Sequence, residues 1–174
     1  YFAALLREDT DNFFGPLVSD TPATQVLNVS NLAAGPAVVD VALQGVTRGQ
    51  QHDVTVALNG STLGEVKFSD QQEGKARFAV TAGVLTGGAN TLTFTAQQGS
   101  NDLSLIDYAN VSYAHSYTAE SDQLKFTAQV GSSIVVSGFT SPPTRVVDIT
   151  DPRRPVYLAH IPGEPAKPGP GESG

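Results

Sequence analysis

Apolar and polar residues alternate over much of this chain, and the alternation is longest at residues 103–113. A period of two over such a length, with β-branched and aromatic side chains, predicts a strand with two different faces. One predicted face carries Leu103, Leu105, Ala109, Val111 and Tyr113. The other predicted face carries Ser104, Ile106, Tyr108, Asn110 and Ser112.

Asp107 interrupts the apolar face of this strand. An isolated carboxylate on a buried face is costly, so the residue needs a physical explanation. Four remain open: a hydrogen bond, a cationic partner, a bound metal, or a β-bulge that turns the side chain outward. A metal would make Asp107 part of a ligand site, whereas a bulge would make it a feature of the fold.

Shorter segments with the same alternation precede this strand at close spacing. They are residues 1–8, 24–30, 38–46, 52–58, 65–69, 75–80 and 90–97. Asn59-Gly60 between two of them is a strong signal for a two-residue hairpin. Many short strands, Gly and Pro turns and no long helical period predict an all-β, antiparallel jelly-roll sandwich of about eight strands.

The strand pattern starts again after residue 117, at residues 123–128, 133–139, 144–149 and 155–159. Four strands are few for an independent sandwich. Residues 118–160 are therefore expected either to pack on the sandwich of residues 1–117 or to begin a second β domain. Residues 161–174 consist largely of Pro, Gly, Glu and Ser, which predicts a linker or tail.

Composition excludes several classes of function. The formal net charge is −7 with ten scattered Lys and Arg, which argues against nucleic acid or an anionic membrane as partner. The absence of Cys excludes disulfides and cysteine catalysis within this chain. No apolar run reaches the roughly 18 residues that a membrane span needs. The lack of any Met and of a leader predicts a segment of a longer polypeptide.

No catalytic motif occurs, so we expect this segment not to be an enzyme. The three histidines are far apart, and the G-x-S-x-G pattern of a hydrolase nucleophile is missing. Two residues are candidates for ligand binding: Tyr108, an aromatic side chain on the outward face of its strand, and His115, close to Tyr113. Cross-strand packing for Tyr108 and a structural role for His115 are the competing interpretations.

Residues 8–12, Glu-Asp-Thr-Asp-Asn, offer oxygen ligands suited to calcium. The loop lacks the spacing of an EF-hand, and a solvated turn is the alternative. If it meets Asp107 in space, Glu8, Asp9 and Asp107 would form a structural calcium site. Otherwise no cofactor is expected.

Four stretches in order resemble the galactose-binding-like jelly roll: LNGSTLGEVKF at 58–68, FAVTAGVL at 78–85, GANTL at 88–92 and DLSLIDY at 102–108. The resemblance covers roughly half of the chain. It implies a carbohydrate-binding module as one reading. Some relatives of that class hold calcium between early acidic residues and the aspartate of the last strand, where Glu8 or Asp9 and Asp107 stand here.

The flanks carry a narrower resemblance. REDTDNFFG at 7–15 and VVDITDPRRP at 146–155 are similar to the non-catalytic β region that precedes the peptidase domain of gingipain-type bacterial cysteine peptidases. This resemblance implies an accessory domain of a secreted or cell-envelope protein, with adjacent domains of the same polypeptide as partners and catalysis in a later domain. The accessory domain is the main hypothesis, and a module with a glycan or protein ligand is the alternative.

Overall fold

The structure is a computed structural model that describes residues 13–141 and 145–158. These residues contain ten strands and no helix. The strands are β1 Leu17–Val18, β2 Ala23–Val29, β3 Leu32–Gly45, β4 Gln51–Leu58, β5 Ser61–Ser69, β6 Glu73–Val80, β7 Gly88–Ala96, β8 Ser104–His115, β9 Val146–Asp148 and β10 Val156–Leu158. The chain divides into two compact units, Tyr1–Ser116 and Tyr117–Gly174.

The first unit has two four-stranded sheets. The β8 sheet has the order β1-β8-β3-β6, and the β7 sheet has the order β2-β7-β4-β5. Within them β1 pairs with β8, β2 with β7, β3 with β6 and β4 with β5, all antiparallel. This nested pairing is that of one long hairpin rolled into a sandwich, which is the jelly roll. The predicted all-β, antiparallel jelly-roll class is confirmed.

Alternating side chains of both sheets form the core. In β4 every second residue from His52 to Leu58 is buried, and in β7 every second residue from Asn90 to Ala96 is buried. On β3, Val39, Val41 and Leu43 are fully buried. Burying each aliphatic side chain of this size contributes about 1.5–3 kcal/mol, so the alternating pattern is also what holds the sheets together.

The predicted Asn59-Gly60 hairpin is confirmed. Both residues have positive φ angles, 49° for Asn59 and 82° for Gly60. Positive φ at both central positions defines the type I′ turn, whose twist matches that of the flanking strands. The turn joins β4 to β5 and brings Leu58 opposite Ser61.

β8 contains a bulge at Asp107. Tyr108 lies opposite Ala42 of β3, but Ile106 lies opposite Leu43, so Asp107 has no residue across from it. The extra residue changes which side chains share a face. Ile106 is 1% exposed and belongs to the core with Ala109, so its predicted outward position is wrong. The bulge is the one of the four explanations for Asp107 that the strand register supports.

Of two predicted strand positions near the N-terminus, one is untested and one differs. The predicted strand at 1–8 lies outside the described residues, and the first described strand is the short β1. β3 begins at Leu32 instead of residue 38, with a register irregularity between Leu32 and Ala37. This irregularity contains Pro36. A bulged position does not require every backbone N–H to pair. The strand therefore continues through Pro36, although a proline in a sequence usually predicts the end of a strand.

In the second unit, the predicted strands at 123–128 and 133–139 are wrong. The described residues there contain only the isolated bridges Thr118–Ser137 and Glu120–Gln123. Val130 and Val135 are exposed, so the alternation of apolar and polar residues in this segment does not produce a strand with a buried apolar face. β9 and β10 lie within the predicted segments 144–149 and 155–159 and pair antiparallel, with Tyr157 opposite Val147. The predicted tail at 161–174 lies outside the described residues.

Candidate functional site

The outer face of the β8 sheet presents a row of polar side chains beside one aromatic ring. Strand register places Tyr108 opposite Ala42, which lies opposite Lys75 of β6. The next row consists of Asn110, Asp40 and Arg77. Residues directly opposite each other in antiparallel strands have Cβ atoms about 4.5–5.5 Å apart, so the rows are contiguous. We call these six residues the Tyr108 patch.

Tyr108 is the aromatic residue of this patch, and its side chain is 37% exposed. Ala42 faces the same way, alternating with the core residues Val41 and Leu43, and yet it is fully buried. The Ala42 methyl group is therefore covered and offers no surface to a ligand. The partly exposed Tyr108 ring itself forms a shallow apolar floor on this face.

Charged and amide groups surround that floor. Asp40 Oδ1 lies 3.7 Å from Arg77 Nε, and Lys75 Nζ lies 2.7 Å from Glu73 Oε2. A carboxylate only accepts hydrogen bonds, a guanidinium only donates them, and the Asn110 amide does both. The negative charges of Asp40 and Glu73, which neighbours the patch on β6, balance the positive charges of Lys75 and Arg77. Such a frame fits a neutral ligand that carries several hydroxyl groups.

His115 is not part of the Tyr108 patch. It lies seven residues further along β8, about 23 Å at roughly 3.3 Å per residue, and on the opposite face by alternation. Its ring is half-buried, with Nδ1 hydrogen-bonded to the backbone oxygen of Ser116. The ring centroid lies 6.2 Å from that of Tyr113. The structure thus separates the two candidate ligand residues.

The candidate calcium ligands are only partly described. Glu8 and Asp9 lie outside the described residues, whereas Asp107 lies half-buried on the bulge of β8. Within residues 13–141 and 145–158, no group of three or more acidic or histidine side chains could hold a metal ion. The calcium site formed by Glu8, Asp9 and Asp107 stays a prediction.

A buried histidine–aspartate pair went unrecognised in the sequence. His52 Nδ1 lies 2.7 Å from Asp102 Oδ1, and both side chains are 0% exposed. Alternation placed His52 on the inward face of β4, which was the available signal, but Asp102 lies in a loop 50 residues away. Since no substrate can reach a fully enclosed pair, its role is structural.

Comparison with known proteins yields likenesses in structure alone. No family model matches the sequence. No curated protein matches it. One similar solved structure is the CBM36-1 domain of a multidomain xylanase from the hindgut metagenome of Trinervitermes trinervoides, with 13% identity and a TM-score of 0.40. The match covers 56% of this chain and 77% of that one.

Two further solved structures carry related descriptions. A family 35 carbohydrate binding module from Clostridium thermocellum has 15% identity and a TM-score of 0.39, with 53% of this chain and 70% of that one covered. The sugar-binding C-terminal domain of EclA has 10% identity and a TM-score of 0.40, with 60% and 84% covered. At these identities and TM-scores no ligand or site residue is transferred to this chain.

The described residues contain no helix long and apolar enough to cross a membrane. The secreted or envelope location, the absence of catalysis and the relation to gingipain-type peptidases stay predictions.

Proposed function

We propose that this chain is a carbohydrate-binding module and that its first unit binds a neutral glycan at the Tyr108 patch. The observation that carries the proposal is the exposed Tyr108 ring next to the Asp40–Arg77 pair on the outer face of the β8 sheet. The apolar face of a pyranose ring stacks on Tyr108. Its hydroxyl groups donate to the Asp40 carboxylate and accept from the Arg77 guanidinium.

The shape of the patch sets the strength of binding. An open sheet surface with one ring and a few polar groups buries little of a ligand, whereas deep pockets enclose most of it. We therefore expect a dissociation constant of about 0.1–1 mM for a short oligosaccharide, or about −4 to −5.5 kcal/mol. Longer chains gain affinity only if they also contact the row of Ser112, Val38 and Ala79.

The decisive experiment is Tyr108→Ala in a titration followed by NMR, with a panel of neutral and uronic oligosaccharides. We expect the substitution to weaken binding of the neutral ligand at least tenfold, because it removes the stacking surface. Tyr157→Ala is the matched control, since Tyr157 is 70% exposed but lies on β10 in the second unit. Unchanged binding by Tyr108→Ala, or an equal loss in both variants, would exclude the Tyr108 patch.

A second candidate function is that of an accessory domain in a secreted peptidase-like protein. The hairpin of β9 and β10 favours it, because Val146, Val156 and Leu158 are exposed and by register share one face of the hairpin, with Val146 opposite Leu158. Contiguous exposed apolar side chains are typical of surfaces that pack on a partner. The test is the coding sequence: a following domain with a Cys–His pair supports this role, and its absence contradicts it.

A further inference from the structure

His52 has hydrogen-bonding partners on both ring nitrogens. Nδ1 lies 2.7 Å from Asp102 Oδ1, and Nε2 lies 2.9 Å from the backbone oxygen of Asp70. Carboxylate and carbonyl oxygens can only accept, so both ring nitrogens must donate. A neutral imidazole has a single N–H and would leave one of the two contacts without a hydrogen. Beside an ionised Asp102, the geometry therefore calls for the doubly protonated, positively charged ring.

Asp102 is arranged as the matching anion. Its Oδ1 accepts from His52, and its Oδ2 lies 3.2 Å from the backbone nitrogens of both Asp53 and Gln98. Two backbone N–H groups thus donate to Oδ2, and hydrogen bonds of this kind favour the ionised carboxylate over the carboxylic acid. With both side chains 0% exposed, His52 and Asp102 form a buried ion pair.

The other groups around His52 leave this charge assignment intact. The Phe68 ring of β5 stacks on the imidazole at 4.6 Å. The Asp70 carboxylate accepts from the Gly49 nitrogen at 2.6 Å. Next to the pair, the Asp53 carboxylate lies 3.2 Å from Lys67 Nζ. Hydrogen bonds to Glu65 and Asp53 raise the pKa of Lys67, which therefore stays charged and offsets one of these two negative charges.

Apart from Asp53 on β4, the partners of the ion pair lie on two of three neighbouring chain connections at one end of the sandwich. These connections are residues 46–50, 70–72 and 97–103, and we call them the loop end. They also bind one another: Asp70 N donates to Gln50 O at 2.8 Å, and Val46 N donates to Leu103 O at 3.0 Å. His52 and Asp102 join the connection at 70–72 to the connection at 97–103, and the Asp70 carboxylate extends this link to Gly49 in the connection at 46–50.

We propose that the His52–Asp102 ion pair is a latch that holds the loop end together, and that removal of either charge releases this end while both sheets stay folded. The physical reason is that a buried charge without its partner is strongly destabilising, whereas a matched pair is tolerated. The unpaired charge gains solvation when the loops above it open. The core between the sheets is apolar, so it loses no comparable charge interaction.

The first test uses the unaltered chain. Nitrogen NMR of the ring, with the chain labelled at histidine, distinguishes a doubly protonated imidazole from either neutral tautomer. At neutral pH we expect both nitrogens of His52 to carry a proton, with one proton shifted far downfield by the carboxylate. A neutral tautomer at His52 would overturn the proposal whatever the variants show.

The second test measures amide hydrogen exchange in His52→Gln and Asp102→Asn. We expect the amides of Gly49, Asp70 and Gln98 to exchange at least tenfold faster, while amides of β3 and β7 change by less than threefold. The double variant should lose less than the sum of the two single variants, because it leaves no unpaired charge. His115→Gln is the control and should leave the loop end unchanged.

Two outcomes contradict the latch. Unchanged exchange at the loop end in both single variants would show that other contacts hold it. Equal acceleration in the loop end and the strands would show that the pair stabilises the whole domain and not one end. If a single variant fails to fold, that is also the global outcome and overturns the proposal.

Discussion

Asn90 shows how one side chain joins separate parts of the first unit. It is fully buried, yet its amide is satisfied on both atoms. Oδ1 accepts from Asn59 Nδ2 at 2.8 Å and from the Thr86 nitrogen at 2.9 Å. Nδ2 donates to the backbone oxygens of Thr86 and Gly88. The Asn of the GANTL stretch therefore ties the start of β7 to the β4–β5 hairpin.

We expect Asn90→Ala to destabilise the chain by about 2–4 kcal/mol, because it leaves buried donors and acceptors unpaired. Chemical denaturation measures the free energy of unfolding. Asn28→Ala, at an exposed position of β2, is the control and should change it by no more than about 0.5 kcal/mol. A loss below about 1 kcal/mol for Asn90→Ala would mean that water replaces the amide.

At the scale of elements, the bulge of β8 determines which residues reach the core. Strict alternation would carry Ile106 to the same face as Tyr108. The extra residue at Asp107 instead sends Ile106 inward and leaves Tyr108 outward. One inserted residue thereby supplies a core side chain and keeps the ring of the Tyr108 patch exposed.

The bulge makes Ile106 a core residue, so Ile106→Ala should cost about 2–5 kcal/mol through lost burial and the resulting cavity. Unfolding in denaturant again provides the measurement. Val26→Ala removes apolar atoms from a residue that is 57% exposed and should cost about 0.5 kcal/mol or less. Equal effects of the two substitutions would argue against the bulged register.

Gly45 at the end of β3 lets the chain pass close to the loop end. A Cβ atom at this position would lie 1.9 Å from the Asp70 oxygen and 2.9 Å from His52 Nε2. We expect Gly45→Ala to lower the free energy of unfolding by about 3 kcal/mol or more, because the Asp70 backbone cannot move aside as a flexible side chain can.

The matched control for this substitution is Gly87→Ala, since a Cβ at Gly87 meets nothing within 4 Å. Thermal unfolding of both variants makes the comparison. A melting temperature of Gly45→Ala as high as that of Gly87→Ala would show that the connection above Gly45 adapts.

At the scale of the whole molecule, the two units use apolar residues differently. The first unit encloses them between two sheets, and its outer surface is largely polar. The second unit leaves many of its apolar side chains exposed, including Val130, Val135 and Leu158. The proposed glycan site belongs to the first unit, whereas the second offers apolar surface for a partner.

For the intact chain, we expect a chelator to leave the melting temperature unchanged, because the bulge already accounts for a carboxylate at Asp107 without a metal. Scanning calorimetry with and without added calcium measures this. A melting temperature that falls on chelation and recovers with calcium, but not in Asp107→Asn, would instead support the site formed by Glu8, Asp9 and Asp107.

The sequence by itself determined the strand-rich class, the inward residues of β3, β4 and β7, and the Asn59-Gly60 turn. These features depend on side-chain period and turn conformation, which are local properties. The outward position of Tyr108 was also predictable, but the face of the sheet on which the Ile106 side chain lies was not. A bulge is defined by the register of two strands, and the sequence of β8 alone does not contain that register.

Tertiary structure alone decided the remaining features. It joined His52 to Asp102 across 50 residues, and it placed Asp40 and Arg77 beside the row of Tyr108. It also left residues 123–128 and 133–139 with isolated bridges and no strand. Each of these depends on which distant segments the rolled hairpin brings together, because burial and pairing are properties of neighbours in space and not of neighbours in sequence.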